Sequence, residues 1–148
     1  MTPLAQRLNA ARRDRGSIAL ELAVLGPALL LFIGLMILAG RMALANQSVA
    51  QAADEAARTA SIARTQSGAS SDASSAARTA LAQQSLQCVS TQVSVDTSQF
   101  SRPVGTPAAV SATVSCVVRL ADLSLPGLPG SRTVTATARS PLDTYRER

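Results

Sequence analysis

The sequence contains one stretch that is long and apolar enough to cross a membrane. Residues 22–40 are 19 residues without a charged side chain, rich in leucine, alanine and isoleucine, and roughly 20 apolar residues span the hydrocarbon core as a helix. Since backbone groups in lipid must be hydrogen-bonded within the chain, this stretch is predicted to be helical. We place the membrane-spanning segment at residues 18–40.

One acid interrupts the start of this apolar run. Glu21 lies one turn into it, and Asp, Lys or Arg at the centre of a membrane helix costs about 2.5 to 3.5 kcal/mol, so acids in such segments are by default functional candidates. A side chain this close to the end can also reach back to the headgroup layer. From Glu21 alone, a functional role and a side chain that only reaches the headgroup layer are both possible.

Most of the excess positive charge precedes the apolar run. The formal net charge is +5, and residues 1–16 contribute +3 of it through four arginines and Asp14. The remaining charges form no basic stripe with interleaved aromatics, so nucleic-acid binding is not expected. Because positive flanks of a membrane helix stay in the cytoplasm, we predict residues 1–16 as a cytoplasmic leader and residues 66–148 as an extracytoplasmic domain.

The two cysteines, Cys88 and Cys116, both fall on the predicted outer side. A disulfide between them is favoured in an oxidising compartment, and two unpaired buried thiols are the alternative.

The rest of the chain predicts an α+β fold. One helix is expected over residues 17–65, since small or apolar residues recur at heptad spacing from Met42 to Ala63. A Ser/Gly-rich break and a second helix from Asp72 to Leu86 follow, with Ser70, Ser71 or Asp72 as its cap. Alternating residues then predict a small three-stranded antiparallel sheet. The predicted strand residues are Val89, Thr91, Val93 and Val95; Val110, Ala112, Val114, Cys116, Val118 and Leu120; and Val134, Ala136 and Ala138.

The leader and the apolar run together resemble the processing site of the type IV pilin superfamily. Arginines precede Gly16, Ser17 follows it, and Glu21 lies five positions after the glycine. The resemblance implies that a prepilin peptidase cuts after Gly16, that Ser17 becomes the N-terminus and that Glu21 is the pilin-type acid. A carboxylate of a neighbouring subunit could then neutralise the new α-ammonium, and such buried pairs are costly to break.

Residues 15–31 are more specifically similar to the opening of the TadE family, with Pro27 near the middle of a leucine-rich helix. The alanine-rich residues 47–64 and the Leu-Pro-Gly-Leu-Pro-Gly turn before residue 133 also resemble that family. The resemblance implies a minor pseudopilin of the tight-adherence pilus, with other pilins and assembly components as partners. Leucine follows Glu21 where major pilins of this system usually have tyrosine, which argues against the main fibre subunit. Pro27 is predicted to kink the helix.

Two alternatives to a pilin are compatible with the sequence. Ala43-Leu44-Ala45 before Asn46 is a small-x-small site of the kind signal peptidase I accepts, although the apolar run is longer than a typical signal-peptide core. A membrane-anchored interaction protein that is never processed is the other alternative. An enzyme is not expected, because histidine is absent and no pair of acids, metal cluster or phosphate loop is evident. We therefore predict no catalytic residue, cofactor or metal.

Overall fold

The computed structural model describes residues 3–123 and 130–145, with side chains described for residues 20–121 and 130–145. Contacts divide the chain into two units, Met1–Leu38 and Ala39–Arg148. The first helix, α1, spans Pro3–Ile62 and so contributes to both units. It begins earlier than the predicted residue 17, because the leader is rich in the good helix formers alanine, leucine, glutamine and arginine and Pro3 suits a first helical position.

The part of α1 after residue 38 carries much of the core of the second unit. Of the predicted heptad positions, Ala45, Val49, Ala52 and Ala56 are at most 2% exposed, whereas the end positions Met42, Thr59 and Ala63 are half-buried. A second row of alanines, Ala53, Ala57 and Ala60, is equally buried. Small side chains cover most of the inward surface of α1, which allows close approach of the neighbouring elements.

The second helix, α2, spans Gln66–Gln83, so the predicted start at Asp72 and the caps at Ser70, Ser71 or Asp72 were wrong. Thr65 is the N-cap, and its hydroxyl accepts a 3.1 Å hydrogen bond from the Gly68 amide. The serines of the expected break are compatible with the helix because their hydroxyls bond backbone carbonyls one turn back, as Ser74 does to Ser70 at 2.8 Å.

The predicted end of α2 at Leu86 was also too late. Ser85 takes a positive φ of 55°, and the Leu86 amide donates to the Leu81 carbonyl at 3.1 Å. This 6→1 bond around a left-handed residue is the Schellman arrangement that ends helices.

Three antiparallel strands follow in the order β1-β2-β3. They are β1 (Ser90–Asp96), β2 (Ala109–Arg119) and β3 (Ser131–Pro141); a 3-10 helix (Ser98–Ser101) follows β1, and a one-turn helix, α3 (Leu120–Leu123), follows β2. The predicted α+β fold with a three-stranded antiparallel sheet is confirmed. Of the predicted Leu-Pro-Gly-Leu-Pro-Gly turn, only Gly130 belongs to the described residues.

The sheet has one buried face and one open face. The predicted inward residues of β2, from Val110 to Val118 at every second position, are at most 1% exposed. Leu120, which was predicted in the same strand, instead begins α3. On β3, Val134 and Ala138 are buried, and Ser140 donates a 3.0 Å hydrogen bond to Ser61 of α1. The helices therefore pack on one side of the sheet, while the opposite side carries serine and threonine.

Candidate functional site

The first candidate site is the apolar surface of α1. Every large apolar side chain from Leu20 to Ile37 that the structure describes is exposed, with Leu20 at 73% and Leu30 at 71%. Among the described helices, one is long and apolar enough to cross a membrane by length and composition, and none of its most apolar window is buried. Such a surface is stable only against lipid or another apolar chain.

Glu21 lies on this exposed surface. It is exposed like its neighbours Leu20 and Leu22, and no hydrogen bond or ion pair joins it to another described residue. An acid surrounded by exposed apolar side chains lacks compensation for its charge in lipid, so a partner from outside the described residues would stabilise it strongly.

The predicted processing residues Gly16 and Ser17 lie within α1, N-terminal to the described side chains. Ser17 and Glu21 are four positions apart on one helix, which places both on the same face. Pro27 also lies inside α1, and the helix continues past it. Cleavage after Gly16 and a kink at Pro27 both stay predictions.

Two glycines of the apolar segment, Gly26 and Gly40, have no close neighbour among the described residues. A Cβ atom added to Gly26 or Gly40 would meet nothing within 4 Å. Nothing described within the chain therefore requires glycine at these two positions, and both offer flat places where a second helix can approach closely.

The second unit contains the predicted disulfide. Cys88 and Cys116 are bonded, with Cα atoms 5.4 Å apart, a separation within the ordinary range for disulfides. Cys116 lies in β2 and is fully buried, whereas Cys88 lies just before β1. The bond therefore attaches the segment after α2 to the central strand of the sheet.

A polar groove lies between α1 and α2 in the second unit. Its volume is about 510 Å³, and its lining includes Glu55, Asp72 and Thr79. At one end, the Gln84 amide donates a 2.7 Å hydrogen bond to the Gln51 side chain. Among the described residues, no group of three histidine, cysteine or acidic side chains could hold a metal ion. That the protein is not an enzyme stays a prediction.

One carboxylate on the open sheet face has a perturbed acidity. Hydrogen bonds from Ser98, first the backbone amide at 3.0 Å and then the side chain, lower the pKa of Asp96 from its ordinary value of 3.8. Arg139 adds a smaller effect in the same direction. These bonds fix the turn between β1 and the 3-10 helix, and they create no reactive group.

Sequence reasoning missed the second alanine row of α1 and the buried face of α2. The latter consists of Ala69, Ala73, Ala77 and Leu81. Their regular four-residue spacing is a helical signal that the surrounding serines concealed.

The fold and the exposed apolar helix together define a protein with one candidate membrane anchor followed by a disulfide-bonded α+β domain. Residues 16–58 match the model of the TadE-like protein family, so this segment is similar to that family, as the sequence predicts. The match begins at Gly16, includes Glu21 and Pro27, and ends within α1. No curated protein and no solved structure matches the chain.

Proposed function

We propose that this protein is a minor pseudopilin of a Tad-type pilus that a prepilin peptidase processes after Gly16. The observation that carries the proposal is Glu21, an exposed acid with no described partner in an apolar helix, inside a segment that matches the TadE-like family. The family match indicates association with a Tad pilus. Processing and the pseudopilin role are the further steps proposed.

The proposed mechanism is charge pairing between subunits. Cleavage after Gly16 creates an α-ammonium on Ser17 at the start of the apolar helix. The Glu21 carboxylate of a neighbouring subunit accepts hydrogen bonds from that ammonium, and the apolar surfaces of the two helices pack against each other. An uncompensated charge in this environment is expensive, so the pair favours assembly over a single helix in lipid.

The proposed location is the cytoplasmic membrane, with the N-terminus inside and the second unit outside. The arginine-rich leader supports this orientation through the retention of positive charge in the cytoplasm. The Cys88–Cys116 disulfide supports an oxidising location for the second unit. Other pilins, pilus assembly components and the peptidase are the expected partners.

Processing is tested by expressing the full chain with and without a prepilin peptidase and sequencing the mature N-terminus. We expect the protein to start at Ser17 when the peptidase is present, and Gly16→Ala to block the cut. A start at Asn46 would instead identify cleavage by signal peptidase I. An intact Met1 with active peptidase would identify an unprocessed membrane-anchored protein.

The pairing mechanism is tested by Glu21→Ala in cells that build the pilus. We expect incorporation of the protein into the pilus or its assembly complex to fall at least tenfold, which corresponds to about 1.4 kcal/mol. Leu22→Ala, a neighbouring exposed position, is the matched control: it removes apolar surface but no charge, so it should reduce incorporation much less than Glu21→Ala. Normal cleavage and normal assembly of Glu21→Ala would refute the pairing.

A further inference from the structure

The outer edge of β3 is a long edge strand without a described partner. β3 is the last strand in the sheet order, and it pairs with β2 along its whole length. Its 11 residues make it longer than β1, the other edge, which has 7. Unpaired edges are templates for another strand, and proteins usually shorten, cover or disrupt them.

The hydrogen-bonding groups on this edge follow from the register. The Leu120 amide donates to the Gly130 carbonyl, and the Leu142 amide donates to the Ala108 carbonyl. The pairing between these bonds keeps one register from Ala109↔Pro141 to Arg119↔Ser131. Even-numbered residues of β3 therefore bond to β2, and odd-numbered residues direct their N–H and C=O groups outward.

The usual devices that block an edge are missing from the central part of β3. The constant register excludes a bulge. Residues 133–138 read Thr-Val-Thr-Ala-Thr-Ala, without charge or proline. Arg132 and Arg139 flank this stretch, and Pro141 is the last residue of the strand.

The open face beside this edge is an ordered hydroxyl surface. Thr137 and Thr113 hydroxyls are 2.9 Å apart, and Thr135 and Ser115 hydroxyls are 3.0 Å apart. These cross-strand bonds hold the threonine side chains of β3 toward β2. Threonine is also among the residues that favour strands.

We propose that the outer edge of β3 pairs antiparallel with β3 of a second copy of this chain, forming a continuous six-stranded sheet across a two-fold axis. The observation favouring a second copy is that the strand is complementary to itself. With Thr135 opposite Thr135, Thr133 lies opposite Thr137 and Val134 opposite Ala136. Threonine side chains then lie opposite threonine side chains on one face of the sheet, and the apolar side chains of Val134 and Ala136 lie opposite each other on the other face.

The same register keeps the arginines apart and pairs the outward backbone groups. Arg132 lies opposite Ala138, and Arg139 lies opposite Ser131, so no arginine faces an arginine. Every outward N–H from Ser131 to Arg139 meets an outward carbonyl. Pro141, which cannot donate, falls outside the paired region. This inference concerns the second unit and does not depend on cleavage after Gly16.

The first test is a cysteine at the two-fold position in the full chain within membranes. Paired residues in such a register have Cα atoms about 5.5 Å apart, within the range that a disulfide bridges. We expect Thr135→Cys to give a disulfide-linked homodimer on mild oxidation. Thr113→Cys, on the same face of the central strand β2, is the matched control and should stay monomeric. Failure of Thr135→Cys to crosslink, or crosslinking only to a different protein, would overturn the proposal.

The second test removes the donor at the centre of the interface. Thr135→Pro deletes an N–H that points outward, a position where an edge strand tolerates proline. It removes both hydrogen bonds of the central pair, so self-association of the full chain should weaken tenfold or more. Thr135→Val keeps the N–H and loses only the hydroxyl, so it should weaken association much less than Thr135→Pro. An unchanged dimer for Thr135→Pro, with the Cys88–Cys116 disulfide intact, would place the interface elsewhere.

Discussion

At the scale of single residues, alanine decides how the second unit packs. Ala52, Ala53, Ala56 and Ala57 are at most 1% exposed, while aromatic residues are only 2% of the chain. Phe100 is the one aromatic side chain among the described buried residues. Where large side chains are few, favourable dispersion contacts require that elements approach closely, and alanine on the inward surface of α1 permits this.

Replacing one of these alanines with leucine should therefore destabilise the second unit. Ala56→Leu adds three carbon atoms at a fully buried position, and we expect the free energy of unfolding to fall by about 1 to 3 kcal/mol. Ala50→Leu, at an exposed position of the same helix, should change it by less than about 0.5 kcal/mol. Urea denaturation of the full chain in detergent, followed by circular dichroism, measures both. Equal effects of the two substitutions would contradict the packing described.

At the scale of elements, α2 is helical despite a loop-like composition because it has an N-cap and a row of buried alanines. Residues 66–75 are rich in serine and glycine, which usually indicates a loop. The Thr65 cap supplies an acceptor for the Gly68 amide, and Ala69, Ala73 and Ala77 bury one face of the helix. The exposed serines reduce the stability of α2 little because they lie on the face opposite the buried alanines.

A single substitution tests whether Thr65 stabilises α2 as its N-cap. Thr65→Ala leaves the Gly68 amide without its side-chain acceptor, and we expect a loss of about 1 kcal/mol in the free energy of unfolding. Ser70→Ala is the control, since its hydroxyl only bonds the Gln66 carbonyl one turn back at 3.3 Å, and should have little effect. Both are measured by urea denaturation. If the two variants lose the same stability, Thr65 does not act as the cap.

At the scale of the whole molecule, the disulfide links the helical and sheet parts of the second unit. Cys88 follows α2, and Cys116 belongs to the central strand, 28 positions later. Closing a loop of this size reduces the entropy of the unfolded chain. For a small domain with few large side chains, this constraint is a substantial fraction of the stability.

The double variant Cys88→Ala, Cys116→Ala should lower the free energy of unfolding by roughly 3 to 4 kcal/mol on the loop-entropy model. Denaturation of the parent protein under reducing and oxidising conditions gives the same comparison without a substitution. Non-reducing electrophoresis verifies that the parent bond is formed. Identical unfolding midpoints with and without the bond would show that the disulfide does not stabilise the unit.

The accuracy of the sequence predictions followed the strength of the local signal. Strand alternation from Val110 to Val118 and the heptads from Ala45 to Ala56 correctly identified the buried residues, because burial on one face imposes a period of two or 3.6 residues. The start of α2 was wrong because a cap at Thr65 is a single residue within a serine-rich background. The second alanine row of α1 was missed since alanine alone does not distinguish an inward face from a solvated one.

By itself, the sequence determined the apolar segment of residues 22–40, the Gly16 to Glu21 motif and the α+β class, because each depends on a continuous run, a fixed offset or a period. Only the tertiary structure shows which surfaces lack a contact with other described residues. Only there does β3 become the last strand of the sheet, and Glu21 an acid without a described partner. The physical reason is that strand order and side-chain pairing depend on contacts between distant residues, which local composition does not specify.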